Sequence, residues 1–165
     1  MIRAKPGSST GDSSAGLDGL DWAILGELQR DGRVAIAELA RRVGLGASSV
    51  AERVRRLEDT GVVRGYHARL DPVRLGYSLV AFVRVHGGST RQAAFRALVH
   101  EVPEIVECHH VTGEDCYLVK VLARSIHHLE ETVARLADHG ATTTSVVFST
   151  VVEGHVLDRP AVPVG

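Results

Sequence analysis

From residue 17 to residue 63 the apolar positions recur every three or four residues, the period of helices that bury one face. Leu20, Ile24 and Leu28 form the first stripe. Asp18 stands where an N-cap is wanted, and Asp21, at the third helical position, suits the positive end of the helix dipole. Leu17 and Trp22 have the spacing of a hydrophobic staple, and Asp31-Gly32 ends the helix. A second, short helix is predicted over about residues 35–43, with Ile36, Leu39, Ala40 and Val43 inward and Gly44 as its stop. A third covers about residues 47–60. Val50, Val54 and Leu57 share its inner face, Ser48, Glu52 and Arg55 lie opposite, and Ser49, Ala51 and Arg56 flank them. Gly46 is a tolerable cap for it, although Ser49 with Glu52 is an alternative capping box that would start the helix later. Residues 62–66, after Gly61, read as a short extended piece, a candidate wing.

The second half changes period. Strands are predicted at 78–86, 104–111, 115–122 and 142–152, with a tight turn at Gly113-Glu114. Helices are predicted at 90–102, turning Phe95, Leu98, Val99 and Val102 inward, and at 125–139, turning Ile126, Leu129, Val133 and Leu136 inward before Gly140. The order βαββαβ is the ferredoxin-like signature, so the fold class is α+β: a winged helix-turn-helix followed by a ferredoxin-like domain. Leu79, Ala81, Val83 and Val85 fill one face of the first strand, while Val80 and Phe82 occupy the other. Val146 and Phe148 against Val147 and Val151 repeat that pattern in the last strand. Two helices cover only one face of a four-stranded sheet, so the second apolar face predicts another subunit. The divisions are a tail at 1–16, a helix-turn-helix domain at 17–64, a linker at 65–76 around the Asp71-Pro72 turn, the second domain at 77–153 and a C-terminal tail at 154–165.

Composition adds locality rather than a global field. The 165 residues carry a net charge of −1, so the chain is not basic as a whole. Yet residues 41–56 hold Arg41, Arg42, Arg53, Arg55 and Arg56 against the single acid Glu52, and nucleic-acid binding needs such a patch. Two cysteines, Cys108 and Cys116, make no disulfide framework. No apolar stretch is long enough to span a membrane and no apolar leader opens the chain, so a cytoplasmic location is expected.

Several segments resemble the Lrp/AsnC, or feast–famine, transcriptional regulators. They are LDGLDWAILGELQRDGR (17–33), AELARRVGL (37–45), VAERVRRLEDTGVVRGYHARLDPVRLGY (50–77), VPEIVECHHVTGEDCYLVKV (102–121) and TTTSVVFSTVV (142–152). The resemblance runs over roughly residues 17–153. It implies an N-terminal helix-turn-helix on double-stranded DNA and a C-terminal domain that senses amino acids. It also implies a homodimer formed through that second domain, assembling to octamers or other higher oligomers, with the effector between dimers. One departure is Gly46, where the family often has serine before the recognition helix.

On this reading Ser48, Ser49, Glu52 and Arg55 meet base edges, because a recognition helix reads mainly with its N-terminal half. Arg41, Arg42, Arg53 and Arg56 meet phosphates. The plain alternative is a solvated helix face with Arg53 pairing Glu58. For the effector, backbone N–H groups around Thr112 and Gly113 can hold a carboxylate, Glu114 or Asp115 an ammonium, and Thr142 and Thr144 add hydroxyls. The plain alternative here is a hairpin that needs a glycine. His109 and His110 fall on opposite faces of a strand, and pairing Cys108 with Val119 turns the two cysteines apart, so no metal site and no cofactor is expected. His127 and Glu131 read as a surface pair. No catalytic constellation is present. The alternatives are a tetrapyrrole (siroheme) decarboxylase of the same architecture, given nine histidines, and a metal-responsive repressor.

Overall fold

Two aspartates set the start of the first helix. Asp18 accepts from the N–H groups of Leu20 at 2.9 Å and Asp21 at 2.8 Å, while the Asp21 carboxylate accepts from the Asp18 N–H at 3.1 Å. This reciprocal capping box satisfies donors that a helix start otherwise leaves orphaned. In the computed structural model, which describes residues 16–86, 92–113 and 115–160, it opens α1 (Gly19–Arg30). Leu17 and Trp22 then pack at the edge of the core as the staple requires.

α2 (Ile36–Val43) ends at Gly44 and α3 (Ala47–Asp59) follows. Ile24, Leu25, Leu39, Ala40, Val50, Val54 and Leu57 are the shared core of the three helices. α3 starts at Ala47 with Gly46 as its cap, whose carbonyl accepts from the Val50 N–H at 3.0 Å, so the later start on Ser49 is not adopted. Past Gly61 the expected wing does not become a strand. The Val63 N–H donates to the Leu57 carbonyl at 2.9 Å, which folds the chain back on α3, and residues 64–71 run as irregular backbone. An extended segment forms a strand only where another strand pairs with it.

The second unit spans residues 69–153, so the division falls inside the segment read as a linker. Residues 71–77 are ordered as a turn: the Asp71 side chain accepts from the Val73 N–H at 2.9 Å, and the Pro72 carbonyl accepts from Leu75 and Tyr77 at 3.1 and 2.9 Å. Next come β1 (Leu79–His86), α4 (Gln92–Glu101), β2 (Ile105–His110), β3 (Asp115–Ala123), α5 (Ile126–Ala137) and β4 (Ala141–Val146). The sheet order is β2-β3-β1-β4, with every neighbouring pair antiparallel. Ala81, Val83, Val85, Tyr117, Val119, Val121 and Ala123 form one buried face against Phe95 of α4 and Leu129 and Leu136 of α5. Val80, Phe82, Leu118 and Leu122 alternate onto the other face, where burial is only partial.

The turn from α5 into β4 requires glycine. A Cβ at Gly140 would lie 2.1 Å from the His86 carbonyl oxygen, so no other residue passes the end of β1 without moving backbone. The last strand is shorter than its β-branched sequence predicts. Val147 still donates to the Val80 carbonyl at 2.8 Å, but β1 begins at Leu79 and leaves nothing further to pair with. Residues beyond are unpaired, and Phe148 and Val151 are almost fully exposed. The described residues of the expected C-terminal tail, 154–160, have no regular secondary structure and cluster with the helical unit, and the Gln29 side chain bonds the Leu157 backbone.

Candidate nucleic-acid interface and effector turn

Burying Val50, Val54 and Leu57 fixes the rotation of α3 and therefore what it shows to solvent. Ser48, Ser49, Glu52, Arg55 and Arg56 are exposed and Arg53 is half-buried. A polar groove of about 500 Å³ runs along this face between Ser49, Glu52, Arg53, Arg55, Arg56 and Asp59. The structure thus gathers the six α3 candidates on one helix face.

The arginines among them are not equivalent. Asp21, completely buried, accepts from Arg53 Nη1 at 2.8 Å and from Arg56 Nη2 at 2.7 and 2.6 Å on its two oxygens. Arg53 Nη1 also reaches Asp18 at 2.7 Å. Backbone N–H donation from Asp21 and the Arg53 guanidinium together hold the Asp18 carboxyl below its ordinary range. Arg53 therefore pairs with α1 and not with Glu58, whose carboxylate instead accepts from the Tyr66 hydroxyl at 2.9 Å. Burial and that carboxylate push the Tyr66 phenol up to about 12.

On α2, Glu38 takes two bonds from Arg41, at 2.9 and 2.7 Å, and one from Arg42 at 2.8 Å. Those guanidiniums hold the Glu38 carboxyl down to about 2. Arg42 also reaches Glu27 at 2.9 Å. Among the described residues Arg55 alone of the five arginines makes no ion pair. Eight arginines and eight acids between residues 17 and 64 cancel. Any phosphate approaching α2 competes with Glu38 for donors already engaged, although Arg41 Nη1 stays free and its side chain is 74% exposed. The sequence reading missed Asp21 and Glu38 in this role. The 3- and 4-residue spacing of Glu38 to Arg41 and Arg42 was a usable signal. Nothing in sequence spacing pointed from Asp21 to residues 32 and 35 positions away.

At the candidate effector turn, Thr112 and Gly113 are exposed and Gly113 has φ 105°. A Cβ there would meet nothing within 4 Å, so glycine is needed for the sign of φ rather than for room. Glu114 and the side chain of Asp115 lie outside the described residues; the Asp115 backbone opens β3 opposite His86. Thr142 pairs with Val85 and Thr144 with Val83. Because β1 separates β3 from β4, the two threonines stand two strands from β3, about 10 Å at ordinary strand spacing. Thr142 is level with Tyr117, at the turn end of the sheet, and Thr144 two pairs further in. The turn and the threonines share a sheet end without lying on adjacent strands.

The histidines separate as the alternation requires, and the side chain of Cys116 lies outside the described residues. His110 pairs with Tyr117 and Cys108 with Val119, on the helix-covered face, while His109 lies on the other face, 3.4 Å from Glu107. Burial pushes the Cys108 thiol up, which disfavours the thiolate that a metal would need. Among the described residues no three His, Cys, Asp or Glu side chains are placed to hold a metal ion. His127 pairs with Glu131 at 3.3 Å on the α5 surface. Among the described residues no helix is long and apolar enough to cross a membrane.

Two family models match the chain: the AsnC-type helix-turn-helix domain over residues 17–58 and the Lrp/AsnC ligand binding domain over residues 80–157. The proline dehydrogenase transcriptional activator of Rhodobacter capsulatus is 40% identical over 144 residues, covering 83% of this chain and 94% of its own. The leucine-responsive regulatory protein of Salmonella typhimurium is 40% identical over 148 residues, covering 86% and 90%. A transcriptional regulator of Neisseria meningitidis, solved as a complex with L-methionine, superposes with a TM-score of 0.79 at 34% identity, covering 86% and 96%.

Proposed function

The chain belongs to the Lrp/AsnC family of DNA-binding transcriptional regulators, and on that premise we propose that it reads duplex DNA with α3 and responds to a free amino acid held at the turn between β2 and β3. The observation that carries the DNA half is the α3 face itself: an unpaired, exposed Arg55 between arginines whose positions Asp21 fixes from beneath. A preset helix face meets base edges without first ordering its own side chains. Ser48, Ser49, Glu52 and Arg55 are the base-reading positions. Arg41, Arg42, Arg53 and Arg56 contribute to phosphates the donors that their carboxylate partners leave free.

Arg55→Ala is expected to weaken binding to an operator by about 1–3 kcal/mol and to relax the preference at one base pair. Arg41→Ala is expected to weaken operator and scrambled duplex alike and to flatten the dependence on salt. Titrations of both duplexes at several ionic strengths decide. If Arg55→Ala weakens both duplexes equally, Arg55 is a phosphate contact and not a reader.

The effector half rests on the open, positive-φ turn at Gly113 and on relatives that are named for leucine or were solved with methionine. An amino acid's carboxylate takes the N–H groups around Thr112 and Gly113, and its ammonium takes Asp115 or Glu114. Thr142 and Thr144, on the far side of β1, form a more distant wall, and a second dimer closes the site. The protein is a homodimer joined through the uncovered sheet face, with dimers assembling further. A thermal-shift screen of the twenty amino acids tests this. A ligand present at about a hundred times its dissociation constant stabilises the fold by about 2.7 kcal/mol, a rise of several degrees. Gly113→Val and Asp115→Ala are expected to lower the basal midpoint modestly, remove the ligand-induced rise and leave DNA binding in place. A normal rise in Asp115→Ala would move the ammonium site elsewhere.

A further inference from the structure

The stretch after β4 does not behave as a tail. Residues 154–160 belong with the helical unit. There the side-chain amide of Gln29 makes two bonds to one residue: Nε2 donates to the Leu157 carbonyl at 3.0 Å, and the Leu157 N–H donates to Oε1 at 2.7 Å. A carboxamide carries its donor and its acceptor on separate, coplanar atoms, so it can engage the N–H and the carbonyl of one residue together, and this pairing fixes which residue sits opposite Gln29. Leu157, itself still 73% exposed, helps line an apolar groove of about 320 Å³ together with Trp22, Leu25, Leu28, Val63 and Tyr66. None of these features serves DNA or effector contact as described above.

The chain therefore leaves the helical unit between Ala68 and Arg69 and rejoins it between Glu153 and Gly154. Arg69 and Glu153, the residues just inside the second unit at these two crossings, form an ion pair. The first and last residues of the second unit are therefore neighbours, and the chain passes between the two units twice.

We propose that the groove between α1 and the segment after α3 is the docking site of the chain's own C-terminal segment, clamped by Gln29 at Leu157, so that this segment straps the DNA-binding unit to the end of β4. The occupant is the same chain because the two crossings are held together by Arg69 and Glu153, and only a few residues separate Glu153 from Leu157. The regulatory consequence, which rests on the effector reading above, is a covalent route from β4, which carries Thr142 and Thr144, to α1. From α1 the Asp21 ion pairs lead on to α3. The docking itself does not depend on that reading.

Trp22 is the single tryptophan of the chain and lines the groove, so its fluorescence reports occupancy without DNA or effector. Two variants of the full protein are compared with wild type: one ending at Glu153, and Gln29→Glu, which keeps the side chain's shape but sets an oxygen against the Leu157 carbonyl. Both are expected to shift Trp22 emission to longer wavelength and to speed deuterium uptake in α1. Unchanged emission and uptake in Gln29→Glu overturns the clamp whether or not the shortened chain folds. Mixing the shortened chain with an excess of full-length Trp22→Phe separates the source of the segment. If wild-type emission returns, a second copy supplies it and the same-chain proposal fails; if emission stays shifted, the strap is internal.

Discussion

Replacing Asp21 by alanine is expected to destabilise the DNA-binding unit by about 3 kcal/mol, more than any other single change considered on its three helices. The carboxylate is fully buried and accepts four bonds, one from the Asp18 N–H, one from Arg53 and two from Arg56. Losing the capping box costs about 1 kcal/mol by itself. Losing the charge-assisted bonds costs about 1.5–3 kcal/mol more, because these are stronger than neutral ones. The cost stays below that of orphaning a buried acid, since the Arg53 and Arg56 side chains are 25% and 52% exposed and can rehydrate. Asp21→Asn keeps an acceptor for the cap but not the charge, so it falls between wild type and alanine. Denaturant titration followed by Trp22 fluorescence measures both. DNA affinity falls in parallel, because α3 loses the anchor that sets two of its arginines. An Asp21→Ala protein within about 0.5 kcal/mol of wild type, the range of a plain surface change, would show that the network contributes nothing net.

The second large effect concerns assembly. Phe82→Asp is expected to convert the proposed dimer to monomers at micromolar concentration. Phe82 sits with Val80 and Leu122 on the sheet face away from α4 and α5, and neighbouring side chains cover it only in part. A buried phenylalanine contributes about 1.5–3 kcal/mol, and two-fold symmetry counts it twice, so association weakens by at least about a hundredfold. The introduced carboxylates add a desolvation cost in the same direction. Light scattering reads the outcome directly, as the mass of a single 17.7 kDa chain in place of two. Circular dichroism shows whether the fold is kept. Wild-type protein that is already monomeric would remove the argument that this face needs a second subunit.

The order of elements was readable because each carries its own local signal. The stripe Leu20, Ile24 and Leu28, the cap at Asp18 and the stop at Gly44 are satisfied within one helix turn of where they occur, so sequence neighbours suffice to place them. The alternation in β1 was readable for the same reason, and counting outward from the turn at Gly113 set the register of Cys108 with Val119. The α3 face followed from three buried apolar residues. Even the uncovered sheet face is a matter of counting helices against faces.

Tertiary structure decided what depends on a distant partner. Residues 147–152 and 62–66 have strand-forming composition, yet neither is a strand, since β1 begins too late in the chain to pair with the first beyond Val147 and no strand lies beside the second. β propensity describes a fit to a neighbour, and only the fold supplies the neighbour. The same holds for charge. The sequence divided five arginines on α2 and α3 by helix position alone, whereas in the structure four are held by Asp18, Asp21, Glu27 and Glu38, and Arg55 is left free. An arginine carries its charge wherever it stands, while its availability depends on which carboxylate the fold brings within 3 Å. Gln29 and Leu157, 128 positions apart, are the extreme case: a polar helix residue and a residue of an apparent tail become partners because the chain returns to its first helix.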